Sequence, residues 1–286
     1  MRFTKCFLIL LFSCLIFSCS LVKTAYNKAP ELAIWWLDDY FNLTKTQKSA
    51  LIPSLQSLHE WHRQTQLSSY ITLLQELQTS LSKEQISATD TCEKINTIKQ
   101  SIYTLQIEAI PVIVKMASLL SDKQLIYFQQ SLVKRTEKWK SEWWQETKAE
   151  QIKVRLEKTQ DFAEKVYGDL NDAQLNQLKQ SFTKISIDPA ISYAEIQRRN
   201  DDAFIILGQL QNQSLTYEEK TQLVKAGFNR IQKSSNQAYQ TYADKLAIHT
   251  CETFANLHVS TTAKQKLHAK NWLADYIELL KALMTR

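Results

Sequence analysis

The run His59-Glu60-Trp61-His62 invites comparison with zinc-dependent hydrolases. That chemistry needs two histidines four residues apart on a helix, so that both rings face one ion, with a glutamate beside the first as general base. Here the histidines are three apart, and no third ligand is identifiable. His249 and Cys251 are two apart, which puts them on different faces of a helix and excludes a nucleophile–base pair. The chain has no Gly-rich phosphate loop, no nucleophile elbow and no paired-cysteine zinc spacing. The sequence therefore predicts no catalytic residue, no bound metal and no small-molecule cofactor.

The other conspicuous residues suit binding. Trp35, Trp36, Asp38 and Asp39 fall on a helix expected to open at Pro30. A tryptophan pair beside two carboxylates suits three roles: gripping a ligand, resting at a membrane interface, or docking the helix on the body with its acids solvated or paired. Trp139, Trp143 and Trp144 cluster along one helix, either as inter-helix packing or as a partner-facing patch. Arg198-Arg199 ahead of Asp201-Asp202 reads as an internal ion-pair node or as a seat for an anionic envelope component. Lys134, Arg135, Lys138 and Lys140 alternate with Glu137 and Glu142, as on a solvated helix face.

The N-terminus reads as an address. Arg2 and Lys5 precede an apolar run from Phe7 to Phe17, broken only by Ser13 and Cys14, the order of a secretory signal. The run is shorter than the ~20 residues a bilayer span needs. It ends in Ile16-Phe17-Ser18-Cys19, which resembles the lipobox of bacterial lipoproteins, although Phe17 is an unusual occupant. The resemblance implies cleavage after Ser18, diacylglycerol on the Cys19 thiol and acylation of the freed amine. A cut at Cys14 would leave too short an apolar run. The competing readings are an uncleaved anchor and an ordinary signal with an incidental cysteine. Acyl chains hold a protein at a membrane by burying methylenes, at ~0.8 kcal/mol each. Ser20 follows the cysteine where aspartate would retain it inside, so lipoprotein sorting implies the outer membrane, facing the periplasm. The expected division is a signal at 1–18, a lipidated tether at 19–29 and a helical periplasmic domain at 30–286. Cys6 and Cys14 leave with the signal. Cys92 and Cys251 remain, either as a disulfide in an oxidising compartment or as two buried thiols. The formal charge of +6 falls by two when Arg2 and Lys5 are removed, and what remains is too diffuse for a nucleic-acid binder.

The elements that carry these residues are all helical. Three glycines and four prolines in 286 residues cannot supply the tight turns of a sheet protein. One local pattern recurs at Leu43-Thr44…Gln47, Leu81-Ser82…Gln85, Leu120-Ser121…Gln124, Leu170-Asn171…Gln174 and Leu215-Thr216…Glu219, with a weaker copy at Thr261-Thr262…Gln265. Each reads as a helix start, in which a Ser, Thr or Asn caps an orphan N–H and a Gln or Glu reaches back. Unbroken stretches predict long helices over 121–167, ending at Gly168, and over about 217–258. Pro189 should open a helix, and Pro53 and Pro111 should kink or break theirs. The fold class is all-α: an irregular bundle of about six to eight long, partly kinked helices.

The segment Tyr26-Asn27-Lys28-Ala29-Pro30 through Trp35-Trp36-Leu37-Asp38-Asp39-Tyr40 resembles the opening of an uncharacterised proteobacterial lipoprotein family, domain-of-unknown-function family 6279. The resemblance is strongest over residues 19 to 50 and loose beyond. It implies a surface-anchored helical protein and no known activity. Leu43 to Gln47 is also similar to the Leu-Thr-x-x-Gln signature of small periplasmic chaperones, which cradle unfolded clients. The expected function is a membrane-anchored, non-catalytic binding or envelope-support protein, with envelope proteins as partners and no nucleic acid. The alternatives are a chaperone-like client binder and an envelope hydrolase with an unrecognised pair of carboxylates.

Overall fold

The computed structural model describes residues 21–285, so the expected signal, Cys19 and the first residues of the tether lie outside the described residues. Residues 21–27 are already helical. Twelve α-helices follow and no strand occurs among the described residues. They are α1 (Ala29–Phe41), α2 (Lys45–Trp61), α3 (Leu67–Leu81), α4 (Ala88–Glu108), α5 (Ile110–Leu119), α6 (Asp122–Trp143), α7 (Lys148–Tyr167), α8 (Asp172–Thr183), α9 (Pro189–Leu210), α10 (Tyr217–Gln232), α11 (Gln237–Val259) and α12 (Ala263–Met284). A π-helical turn, His62–Gln66, joins α2 to α3.

Twelve helices replace the six to eight expected: the π-helical turn and Pro111 each divide a stretch, and two further long stretches are interrupted without glycine or proline. The stretch 121–167 breaks where Thr147 and Glu150 form a full capping box. The stretch 217–258 breaks where Asn236 caps α11. The start expected at Ser82 is also displaced. Ser82 closes α3, and Ser87 with Asp90 caps α4. The remaining starts stand, with boxes at Thr44, Ser121, Asn171, Thr216 and Thr262. Pro30 and Pro189 open α1 and α9, and Pro111 opens α5 just past Glu108. Pro53 lies inside α2 without ending it. Gly168, at φ +76°, ends α7 in a conformation that L side chains rarely adopt.

Four of the caps do more than start helices. Gln47 and Gln124 exchange amide hydrogen bonds at 2.9 and 2.8 Å, and each also donates to backbone carbonyls beside the other's cap, Leu119 in one direction and Phe41 and Asn42 in the other. Gln174 and Gln265 repeat the arrangement, at 2.9 and 3.0 Å, with the Ser260 and Asp169 carbonyls. Each pair is a reciprocal clasp tying two helix starts together. The periodic cap pattern is thus half tertiary in purpose.

Each clasp sits at the end of its own hydrophobic core. The first core draws on α1, α2, α5, α6, α9 and α10, with Phe41 stacked on Phe128 and Leu51 and Leu210 fully buried. The second draws on α7, α8, α11 and α12, with Leu178, Leu257 and Ala269 at its centre and Leu81 of α3 packed on it. Fully burying one such leucine contributes ~1.5–3 kcal/mol. α9 and α10 approach so closely that a Cβ at Gly227 would lie 2.5 Å from the Ile206 side chain. No single helix among the described residues is long and apolar enough to cross a membrane. The bent pair α4–α5 approaches that composition, but Ile110, Val112, Val114 and Met116 of α5 are spent on the first core.

Candidate functional site

The tryptophan–aspartate segment divides. Asp38 accepts the Leu43 N–H at 2.8 Å and pairs with Lys48 at 2.7 Å, bracing the α1–α2 corner. Asp39 pairs with Arg135 of α6 at 2.8 Å, and the same guanidinium lies 3.9 Å over the Tyr40 ring. Trp35 and Trp36 stay outside, 72% and 51% exposed. The second cluster is partly buried: Trp139 and Trp144 both contact the Tyr193 ring, and Trp143 faces Arg155. His59 and His62 both contact the Tyr26 ring, and the Tyr26 hydroxyl lies 2.9 Å from His62 Nδ1. Among the described residues no group of three or more His, Cys, Asp or Glu is placed to hold a metal. His249 Nε2 lies 2.9 Å from the Ser181 carbonyl and 3.2 Å from the Ser181 hydroxyl, which also contacts the Thr253 hydroxyl at 2.8 Å.

Arg198 and Arg199 form an ion-pair node around a residue that sequence reading passed over. Glu195, 1% exposed, accepts from Arg198 Nε and Nη2 at 2.8 Å each, from Arg199 Nε at 2.7 Å and from Ser234 Oγ at 2.6 Å. Asp202 takes the remaining Arg198 nitrogen and Arg230; Asp201 has no part in the node. Burial pushes the Glu195 carboxyl up, but its hydrogen bonds from Arg198, Ser234 and Arg199 outweigh that and hold it at about 2. A carboxylate so occupied is not poised for proton transfer near neutrality. The local signal was present, since Glu195 lies three and four residues before the two arginines, the helical pairing distance.

The feature best suited to binding is an apolar cleft of about 220 Å³ between α3, α4, α7, α11 and α12. Leu77 and Leu81 of α3 and Ile95 and Ile98 of α4 are among its lining. Phe162 and Phe254 meet edge to face at 5.7 Å across α7 and α11, and Trp272 of α12 joins the lining. Ile98 and Phe162 remain 42% and 49% exposed, so the apolar surface continues out of the mouth. Lys94 and Asp90 stand among the lining residues, with Lys94 paired to Glu76.

Behind the cleft, the fully buried His258 fixes two of its walls. Its Nε2 lies 2.9 Å from the Lys83 carbonyl in the α3–α4 loop, and its Nδ1 lies 3.0 Å from the Tyr167 hydroxyl. A neutral ring that donates to the carbonyl and accepts from the phenol satisfies both contacts. Burial lowers the His258 pKa, the Lys83 carbonyl opposes this, and Lys266 lowers and Glu84 raises it further. Cys92 and Cys251 are joined in a disulfide, their Cα atoms 5.4 Å apart, fastening α4 to α11 beside the cleft.

A family model matches residues 39–229, carrying the description "family of unknown function (DUF6279)". The chain belongs to DUF6279. The Tyr26–Tyr40 segment that carries the resemblance in the sequence lies almost wholly ahead of the match, which runs instead through the region where that resemblance is loose. The DUF6279 match takes in the Gln47–Gln124 clasp, most of the first core and Glu195, Arg198, Arg199 and Asp202 of the arginine node, and stops within α10, short of Arg230 and Ser234 and of α11 and α12. No curated protein and no solved structure matches the chain. In this DUF6279 chain, then, the cleft is built partly from matched helices and partly from the two that follow. No single stretch of sequence announces it, because its lining comes from five helices.

Proposed function

We propose that this protein is a membrane-anchored, non-catalytic binding protein of the bacterial envelope. Residues 1–18 are its export signal, the acyl chains on Cys19 hold it to the outer membrane facing the periplasm, and its cleft seats an apolar side chain of a polypeptide partner. The observation that carries the reading is the cleft itself. It is open to solvent and lined almost wholly by aliphatic and aromatic side chains, the character of a site that takes an apolar anchor from a partner. The Cys92–Cys251 disulfide supports an oxidising compartment. The resemblance to Leu-Thr-x-x-Gln chaperones loses weight, because Gln47 is consumed in a clasp.

The test is a benzophenone amino acid placed at position 98 of the full chain and irradiated in intact cells. The expected result is a discrete polypeptide adduct that disappears in Phe162→Asp, with an unchanged circular dichroism spectrum. Labelling confined to lipid, or an adduct insensitive to Phe162→Asp, overturns the reading. For the anchor, labelled palmitate should enter the wild type and not Cys19→Ala.

A further inference from the structure

The exposed tryptophans of α1 are left unused by the cleft, and they do not stand alone. Leu21, Leu32, Trp35 and Trp36 are all exposed large apolar residues, at 65%, 49%, 72% and 51%, and Ala25 is exposed too. The backbone bond from Lys28 N–H to the Thr24 carbonyl and that from Leu32 N–H to the Lys28 carbonyl carry the helical path through the turn between residues 21–27 and α1. At about 100° per residue, Leu32, Trp35 and Trp36 fall within an arc of about 100° on α1, and Leu21 and Ala25 share one face of the helical residues before the Lys28 turn. Pro30, Ile34 and Phe41 lie on the other side and are buried. This helix is therefore apolar on two faces, and only one of them is covered.

The charges along the outer stripe are compensated. Lys28 pairs with Glu31 at 3.6 Å, and Asp39 pairs with Arg135 at 2.8 Å. Trp36 packs on Tyr40, which also meets that arginine and the Phe128 ring of the first core. The stripe begins at Leu21, immediately after the residues read as the lipid attachment point. A helix rises ~1.5 Å per residue, so Trp35 lies ~21 Å along the axis from Leu21. If the helix stood upright on its anchor, the tryptophans would be held well clear of the bilayer. Lying flat, it brings leucines and tryptophans to the headgroup level together, where indole rings are favoured.

We infer that the outer face of residues 21–36 docks on the phospholipid bilayer, laying the N-terminal helix along the membrane and fixing the orientation of the body above it. The occupant is a lipid surface because a chain tethered at residue 19 presents this face to the bilayer before any other partner can reach it. The inference rests on the proposed anchor, and the experiment separates the two. Full-length protein from cells is reconstituted into phosphatidylethanolamine–phosphatidylglycerol vesicles with and without brominated acyl chains. Palmitate labelling reads the anchor, and bromolipid quenching of tryptophan emission reads the docking. The expected result is strong quenching in the wild type, most of it lost in W35F/W36F and retained in W139F. Labelled, vesicle-bound protein with equal quenching in W35F/W36F and wild type overturns the docking and leaves the anchor. If no palmitate is incorporated, the anchor falls, and the protein is mixed with preformed brominated vesicles. A wild-type-minus-W35F/W36F difference then upholds the docking, and its absence overturns it.

Discussion

Replacing Glu195 with glutamine tests how the bundle is held together at its arginine node. The substitution preserves shape and removes one charge. Three guanidinium N–H groups and the Ser234 hydroxyl converge on this carboxylate within 2.6–2.8 Å. A glutamine offers one acceptor oxygen, and its NH2 group turns donors towards donors. Breaking a buried ion pair from one side costs ~3–5 kcal/mol, because the remaining charge stays desolvated. An independent route gives a similar figure. A carboxyl held at about 2 when folded and near its ordinary ~4.3 when unfolded contributes on the order of 3 kcal/mol at neutral pH. The sign follows from the depressed value. The contribution is complete above the unfolded pKa and drains away as pH falls from about 4.3 towards 2. Urea unfolding followed by circular dichroism should show E195Q about 3–5 kcal/mol less stable than wild type at pH 7. The gap should narrow below pH ~4.3 and close only as pH approaches about 2. A loss below ~1 kcal/mol, the range of exposed pairs, or a gap independent of pH would refute the reasoning.

Other perturbations probe the remaining devices. Because the His258 pKa is depressed by burial, its contribution is complete above the unfolded value near 6.5 and is lost as pH falls through the lower folded value. The stability difference between wild type and His258→Gln should narrow between pH 8 and pH 5. Gln47→Ala and Gln124→Ala should each destabilise by ~1–3 kcal/mol, and a double-mutant cycle should return a coupling of ~0.5–3 kcal/mol. Reducing the disulfide, which spans 159 residues, should cost up to ~5 kcal/mol in the chain-entropy limit, and Cys92→Ser should be insensitive to reductant in the same denaturation assay. Gly227→Ala should change stability by no more than ~1 kcal/mol, since only the terminal methyl of Ile206 stands at 2.5 Å and can turn aside while alanine is the better helix former; a larger loss in the same assay would show that Ile206 is locked in place.

Five helix starts were legible because the cap was local. Thr44, Ser121, Asn171, Thr216 and Thr262 each carry the whole signal within four residues. The breaks at Thr147 and Asn236 were missed because Thr, Glu and Asn are tolerated inside helices, so an ungarnished box reads as interior. Ser82 misled for the opposite reason. Its local box was available, but Lys83 is drawn onto His258 and Ile86 onto the cleft, and the start moved to Ser87. The arginine pair was visible as a node, whereas its buried glutamate was not sought. The cleft and the reciprocal clasps were beyond reach from sequence alone, since each joins helices far apart in the chain.

The order in which residues emerge gives the second clasp a consequence for biogenesis. Gln174 waits for Gln265, Cys92 for Cys251 and Tyr167 for His258, and all three late partners lie past residue 229, where the family match stops. A chain delivered from its N-terminus can close the first core while this other half stays unlatched until its last two helices arrive.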